Sequence, residues 1–579
     1  MKISIKPSRR LLDRFLSLIE SVPGSDKLIL RLAFFAVVSS VIWLLFTINQ
    51  QYSEQTAVRG GSITEGIIGT PRFVNPALAI TRADQDVTAL VYSGLMKIDS
   101  EGNLVNDLAE SITTSDDGLT YNIVLRQDVS FHDGTPLTAK DVIFTIQLIQ
   151  NPDLKSPLRG NWSDVTLEEV GEYELNIVLK EPYAPFIENF TLGIMPAHSW
   201  SSLPVEQLPF SQLNTEPIGS GSFAITKTEH NTSGLIKNYT LTAYRKNNSN
   251  PKIDTLELDF YQNEDDLITA VQNKMVDATA YISAERVSEL DIKNFQLINE
   301  PLPRTFGIFF NQNRSPILRD SAVRQALTVA LNKDELIEKT LFGYGIPING
   351  PTPLSQTELE SMDSTEDTAT STRQEEAIAI LKKAGWIKNN LGLWEKSING
   401  GPVTLSITLR TSNAPLFGPL ANTIIEQWEA IGVEVVTEQF EQTGLVQSVI
   451  RPRDFEALLF GLDMSRTYDL YPFWHSSQQD DPGLNIAQYA NVSVDALLEE
   501  ARTEQNIVAR NETLTKASEI IENERPAIFL FQPNFTYLVS KDVTVVPITN
   551  PGRPADRFSN IDDWHTESDS LWPIFQQDI

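Results

Sequence analysis

Cysteine is absent from all 579 residues. The chain can form no disulfide, and thiolate catalysis and cysteine-based metal sites are closed to it. Histidine is scarce. His132, His198, His230, His475 and His565 are scattered, none closely paired along the chain. The His-Glu-x-x-His zinc motif and the Gly-x-Ser-x-Gly nucleophile elbow are missing. Gly219-Ser220-Gly221 is too short for a phosphate loop and lacks its lysine. Acid pairs such as Asp116-Asp117 and Asp480-Asp481 sit in turn-like contexts, and nothing selects a pair spaced for glycoside hydrolysis. The sequence therefore predicts no enzyme, no metal and no cofactor.

Positive charge is also in short supply. Lys and Arg number 46 against 76 Asp and Glu, a net charge of −30. Residues 1–31 run against this, with seven basic side chains to three acidic, a net of +4 that leaves −34 on the rest. A body this acidic is repelled by nucleic acid and by anionic lipid, so neither is an expected partner of it.

Long apolar runs are missing but for one. Leu32 to Ile48 is 17 residues without a charge. As a helix it rises roughly 25 Å at about 1.5 Å per residue, close to a bilayer's apolar thickness, and Leu28 to Leu30 extend it. Positive charge precedes it, which places the N-terminus in the cytoplasm and the body outside. A cleaved signal peptide is the rival reading; the long charged segment before the run and the lack of an A-x-A site favour an uncleaved anchor. Leu11, Leu12, Phe15, Leu16 and Ile19 form an amphipathic stretch beside basic residues, read as a helix on the inner leaflet or a solvated one.

What is present is a dense pattern between Ala109 and Val142. Asp116-Asp117-Gly118 signals a turn. Tyr121, Ile123 and Leu125 alternate with polar or smaller residues, as in a half-buried strand. Phe131-His132-Asp133-Gly134 makes a second turn, in which His132 reads as a structural hydrogen-bonder. Thr138 is placed to cap a helix starting at Ala139. This order closely resembles the signature of the extracellular solute-binding proteins of family 5, the peptide- and nickel-binding receptors of ABC importers. Further segments resemble that family in the same order. They include Arg72 to Pro76, Val91 to Leu95, Pro217 to Phe223, Tyr244 to Asn247, Val276 to Ala278, Phe310-Asn311, Leu318 to Leu327, Ala377 to Trp386 and Ile431 to Val435. The resemblance spans roughly residues 60 to 540.

Strands are expected at Tyr173–Leu179, Thr255–Phe260, Thr305–Phe310, Val403–Leu409, Val433–Thr437 and Glu456–Phe460. Helices are expected at Ala139–Gln150, Glu264–Asn273, Ser321–Leu331, Arg373–Ala384, Leu420–Ile431 and Val494–Arg502. Their interleaving means an α/β class. The resemblance implies two lobes around a cleft, a periplasmic-binding-protein-like fold with an extra inserted domain, preceded by one transmembrane helix. On that plan 1–27 is a cytoplasmic basic segment, 28–49 the anchor and 50–59 a polar linker. Residues 60–105 and 217–305 make lobe one, 106–216 the inserted domain and 306–535 lobe two, and 536–579 returns to lobe one. Ser355 to Glu375 has no aromatic residue and reads as a surface loop.

The resemblance implies capture of a peptide or other small solute for the permease subunits of an ABC transporter, at the outer face of the cell membrane. Many receptors of the family are tethered by a lipidated cysteine; here the apolar helix would do that. A sensing module without transport, or a cell-surface hydrolase, are the alternatives. A peptide cleft needs an acid for the ammonium, a cation for the carboxylate and aromatic walls. The strand at Phe455–Phe460 ends in Gly461-Leu462-Asp463-Met464-Ser465-Arg466. Peptide-binding relatives often have Gly-Trp and then an acid there; Leu462 replaces the Trp, and Asp463 comes earlier. Asp463 and Arg466 are candidate ligand contacts, with Tyr471 and Trp474 as walls. Arg410, just after its strand, is a candidate partner for a carboxylate.

Overall fold

The structure is a computed structural model that describes residues 23–52, 54–247, 249–352, 370–398, 400–464, 466 and 468–571. The amphipathic stretch at Leu11–Ile19, most of the basic segment and most of the Ser355–Glu375 loop lie outside the described residues. The chain forms two compact units: residues 1–58 with 567–579, and residues 59–566.

The first unit holds a helix of 29 residues, Gly24–Tyr52. Its apolar window, Leu32–Asn49, keeps its side chains exposed, among them Phe34 and Trp43 at 65% and 71%. The polar segment after it, read as a linker, is partly ordered. Glu54–Ala57 pairs antiparallel with Ser568–Leu571, so the segment after the helix is strapped to the C-terminal segment.

In the second unit the α/β expectation holds. One 12-stranded sheet runs through both lobes. Its lobe-two half is ordered Glu434–Phe440, Ser406–Ser412, Ala457–Asp463, Arg304–Phe310; its lobe-one half is Ala278–Thr279, Ser62–Ile68, Thr255–Tyr261, Ile236–Ala243, Phe223–His230. The long strand Ala527–Ser540 joins the halves. Its first residues pair with Phe306–Phe309 and its last with Phe295–Pro301. Between these pairings the chain bends at Pro303, while Pro533 stays within the continuous strand opposite Gly345, and the Leu302 N–H donates to the Pro533 carbonyl at 3.0 Å. Proline lacks a ladder donor, so neither residue donates to a neighbouring strand where the lobes meet.

The inserted domain is a four-stranded antiparallel sheet, ordered Ala109–Thr114, Thr120–Leu125, Glu174–Leu179, Val165–Gly171. The alternation read from sequence is realised: Tyr121, Ile123 and Leu125 are buried. Helix Ala139–Gln150 has the expected bounds, and the Asp141 carboxylate accepts the Thr138 N–H at 2.9 Å, one half of a capping box. The domain shares a hydrophobic core with lobe one, whereas lobe two has its own core on each face of its sheet. The expected strand Val403–Leu409 is two: Gly401–Thr404 belongs to a small three-stranded sheet and Ser406–Ser412 to the main one. Leu405 makes the switch, donating to the Trp394 carbonyl at 2.8 Å and accepting from Glu434 at 3.1 Å.

Candidate ligand-binding site

Two adjoining spaces open between the lobes. One, of about 590 Å³, lies between the inserted domain and lobe two. The other, of about 680 Å³, faces lobe one. Asn161, Glu188 and Asp463 line both, so they form one cleft. A third, smaller cavity of about 220 Å³ sits in the seam of lobe one and the inserted domain; lobe two contributes nothing to it, so lobe closure cannot seal it.

Asp463 closes the strand Ala457–Asp463 and stands opposite Arg304, which opens Arg304–Phe310. Register partners project to the same face, and side chains alternate along a strand. Leu462 is therefore buried while Asp463 points to the cleft. Arg304 grips it with Nε and Nη2, each 3.1 Å from Oδ2.

Arg466, further along the same loop, pairs with Asp556 in the C-terminal return. Arg553 also holds Asp556, at 3.1 Å. Burial pushes the Asp556 carboxyl up, but the two arginines outweigh it and hold its pKa low. The turn carrying it, Pro554–Phe558, is fixed by its neighbour Arg557. This buried guanidinium reaches Glu65 at 2.9 Å and Asp86 at 2.7 Å. The same carboxylates accept from Tyr537 and Tyr281, each at 2.8 Å. The cluster ties the first strand and helix of lobe one to the end of the chain, so the cleft wall is rigid there.

Across the cleft, the Tyr183 hydroxyl of the inserted domain donates to Asp469 of lobe two at 3.0 Å. Arg502 lies between the rings of Tyr183 and Tyr471, 4.5 and 4.2 Å from their centres. Burial raises the Asp469 pKa, and Arg502 offsets it only in part.

Of the five residues proposed from sequence, Asp463 and Arg466 line the cleft. Arg410, Tyr471 and Trp474 are not brought to its walls. Arg410 is register partner to Leu458, five residues and roughly 16 Å along the strand from Asp463. It is held by Glu438 at 2.7 Å and Asp454 at 3.1 Å. Trp474 is core, packed on Phe309 and Phe529. Tyr471 stacks on His475, ring centres 4.1 Å apart, and reaches the site through Arg502.

Sequence reasoning missed Arg82, Arg304, Tyr183 and Arg502. Arg82 opens the helix Arg82–Val91 directly after its cap, Thr81. A cation there opposes the helix dipole, and that local misfit is the signal that marks it. His132 has the structural role expected. Its Nε2 bonds the Gly221 carbonyl at 3.0 Å and its Nδ1 accepts the Gly219 N–H at 3.3 Å. Among the described residues no group of three His, Asp or Glu is arranged to hold a metal ion.

Comparison with known proteins identifies the family and the fold. The family described as bacterial extracellular solute-binding proteins, family 5 Middle, matches residues 103–483. The oligopeptide-binding protein AppA of Bacillus subtilis is 29% identical over 490 residues, which are 82% of this chain and 87% of AppA. The solved structure of that protein with a nonapeptide aligns with a TM-score of 0.65 at 26% identity, covering 88% of this chain and all of that one. NikZ of Campylobacter jejuni, solved with Ni(L-His), aligns at 0.66 and 24% identity over 87% of this chain and 99% of its own; that likeness speaks to the fold. With its two lobes, inserted domain and shared sequence pattern, this chain belongs to the bacterial extracellular solute-binding proteins of family 5.

Proposed function

We propose that this chain captures peptides, or solutes built like them, in the interlobe cleft and delivers them to the permease subunits of an ABC importer. One observation carries the reading: a charge-lined cleft lies between lobes that meet at the proline-bearing crossings of Pro303 and Pro533. A ligand there touches both lobes only when they close, so binding stabilises the closed form. Asp463 and Arg466 are the proposed ligand contacts, with Asp463 for an ammonium. The oligopeptide-binding relative supports peptides as the solute class. The helix Gly24–Tyr52 is proposed as an uncleaved anchor, N-terminus in the cytoplasm and body outside.

The absence of cysteine offers a clean test. Lys237→Cys and Glu434→Cys, both exposed and near opposite ends of the sheet, can be labelled as the sole thiols. Addition of a pool of short peptides should change energy transfer between the two dyes, with saturation. No change, and no saturable heat in a titration with the same pool, would contradict peptide capture.

A further inference from the structure

The two halves of the cleft differ in charge. The half between the inserted domain and lobe two is acidic, with five carboxylate side chains against two cations along its wall. The half facing lobe one carries four arginines against three acids, in a protein whose net charge is −30.

Three of those arginines have carboxylates. Arg304 holds Asp463, and Arg466 and Arg553 share Asp556. Arg82 has none within ion-pair distance among the described residues. Its Nη2 donates to the Ala280 carbonyl at 2.8 Å, and its guanidinium lies 4.2 Å from the centre of the Tyr281 ring. These contacts fix the group in place without neutralising it. The acid that attracts it most, Asp86, is already committed: Arg557 takes both oxygens, at 2.9 and 2.7 Å, and Tyr281 donates to one of them at 2.8 Å. Arg82 Nε and Nη1 donate to no protein group among the described residues, and the side chain is exposed along the cleft. A guanidinium held in place with open N–H donors and no counter-ion is suited to receive a carboxylate or phosphate.

We propose that Arg82 receives an oxyanion of the ligand, and that the ligand therefore lies with its anionic end at lobe one and its cationic end toward Asp463 and the acidic half. The proposal rests on the cleft being the binding site. It adds a requirement, a negative group on the solute, and a direction of binding.

Calorimetric titration of the full chain tests it with three probes: a pool of short peptides with free C-terminal carboxylates, the same pool amidated, and inorganic phosphate. Wild type, Arg82→Gln and Arg82→Lys are compared. Wild type should prefer free acids to amides by about 30-fold or more, since closure of the lobes would desolvate the pair of Arg82 with a ligand carboxylate and an amide leaves that pair unmade. Arg82→Gln should bind both pools alike, at the amide level, and Arg82→Lys should recover part of the preference. If wild type binds phosphate but neither peptide pool, and Arg82→Gln abolishes that binding, Arg82 remains an oxyanion site and the peptide reading fails. If Arg82→Gln keeps the preference for free acids, or wild type shows none, the proposal is overturned while peptide capture stands. A uniform loss for both pools with a lowered melting temperature overturns it too, because Arg82 would then be a structural residue.

Discussion

Nη2 of Arg304 lies 3.1 Å from Oδ2 of Asp463, at the point where two strands of lobe two reach the cleft. The pair is substantially exposed, its side chains 38% and 63% accessible. Such pairs contribute about 0–1 kcal/mol to folding. Loss of the acid should thus spare the fold and tell on the ligand.

Asp463→Asn should weaken a ligand carrying an ammonium by about 2–5 kcal/mol, roughly 30-fold to several-thousand-fold, with the melting temperature of the empty protein unchanged. Calorimetric titration and a thermal scan check both halves. Arg410→Ala should do the reverse. Its guanidinium ties Ser406–Ser412 to Glu438 and Asp454, so its loss lowers stability and leaves affinity alone.

Tyr183→Phe removes the donor that spans the cleft to Asp469. Asp469 keeps the Tyr471 N–H at 3.1 Å and Arg502 at 3.6 Å, so the loss is that of one hydrogen bond to a charged group, about 1.5–3 kcal/mol. That cost falls on the closed form alone, so the variant should open. Energy transfer between dyes on the two lobes should move toward the ligand-free value, and affinity should drop by the corresponding factor.

His132 gives the fold a pH dependence. Burial is the largest influence on its ring and lowers its pKa, while the Gly221 carbonyl and Asp133 oppose that shift. The unfolded chain, with an ordinary pKa near 6.5, takes up the proton first as pH falls. The stabilisation is complete above about pH 6.5 and is lost as pH falls from there through the lower folded value. Urea midpoints should show the gap between wild type and His132→Gln narrowing below pH 6.5.

Much of the fold is legible in the sequence because burial imposes a period. Tyr121, Ile123 and Leu125 announce a strand, and Thr138 announces the start of a helix. What is not legible depends on distant partners. Leu405 breaks one apolar run into two strands because Trp394 and Glu434 claim its backbone. The strand Ala527–Ser540 serves both lobes, so a boundary drawn at 535 cuts a continuous element. In the site, Asp463 could be named because the family resemblance places a ligand-holding acid in the loop expected after Phe460; the structure extends the strand to Asp463 itself. Arg410 and Trp474 could not be sorted from it: Glu438, Asp454, Phe309 and Phe529, which occupy them, are far off in the chain.

The helix Gly24–Tyr52 predicts a topology. Protease added to intact cells should digest the body and leave a short protected N-terminal fragment. Recovery of a mature protein that begins after residue 48 would show a cleaved signal instead.

The most direct measurement is mass spectrometry of small molecules released from the purified protein, wild type beside Asn161→Trp. Asn161 borders both halves of the cleft, and an indole there fills the space that a ligand needs. The account predicts a solute retained by wild type and absent from Asn161→Trp at an unchanged melting temperature. Equal retention by the two proteins would place the binding site elsewhere and contradict it.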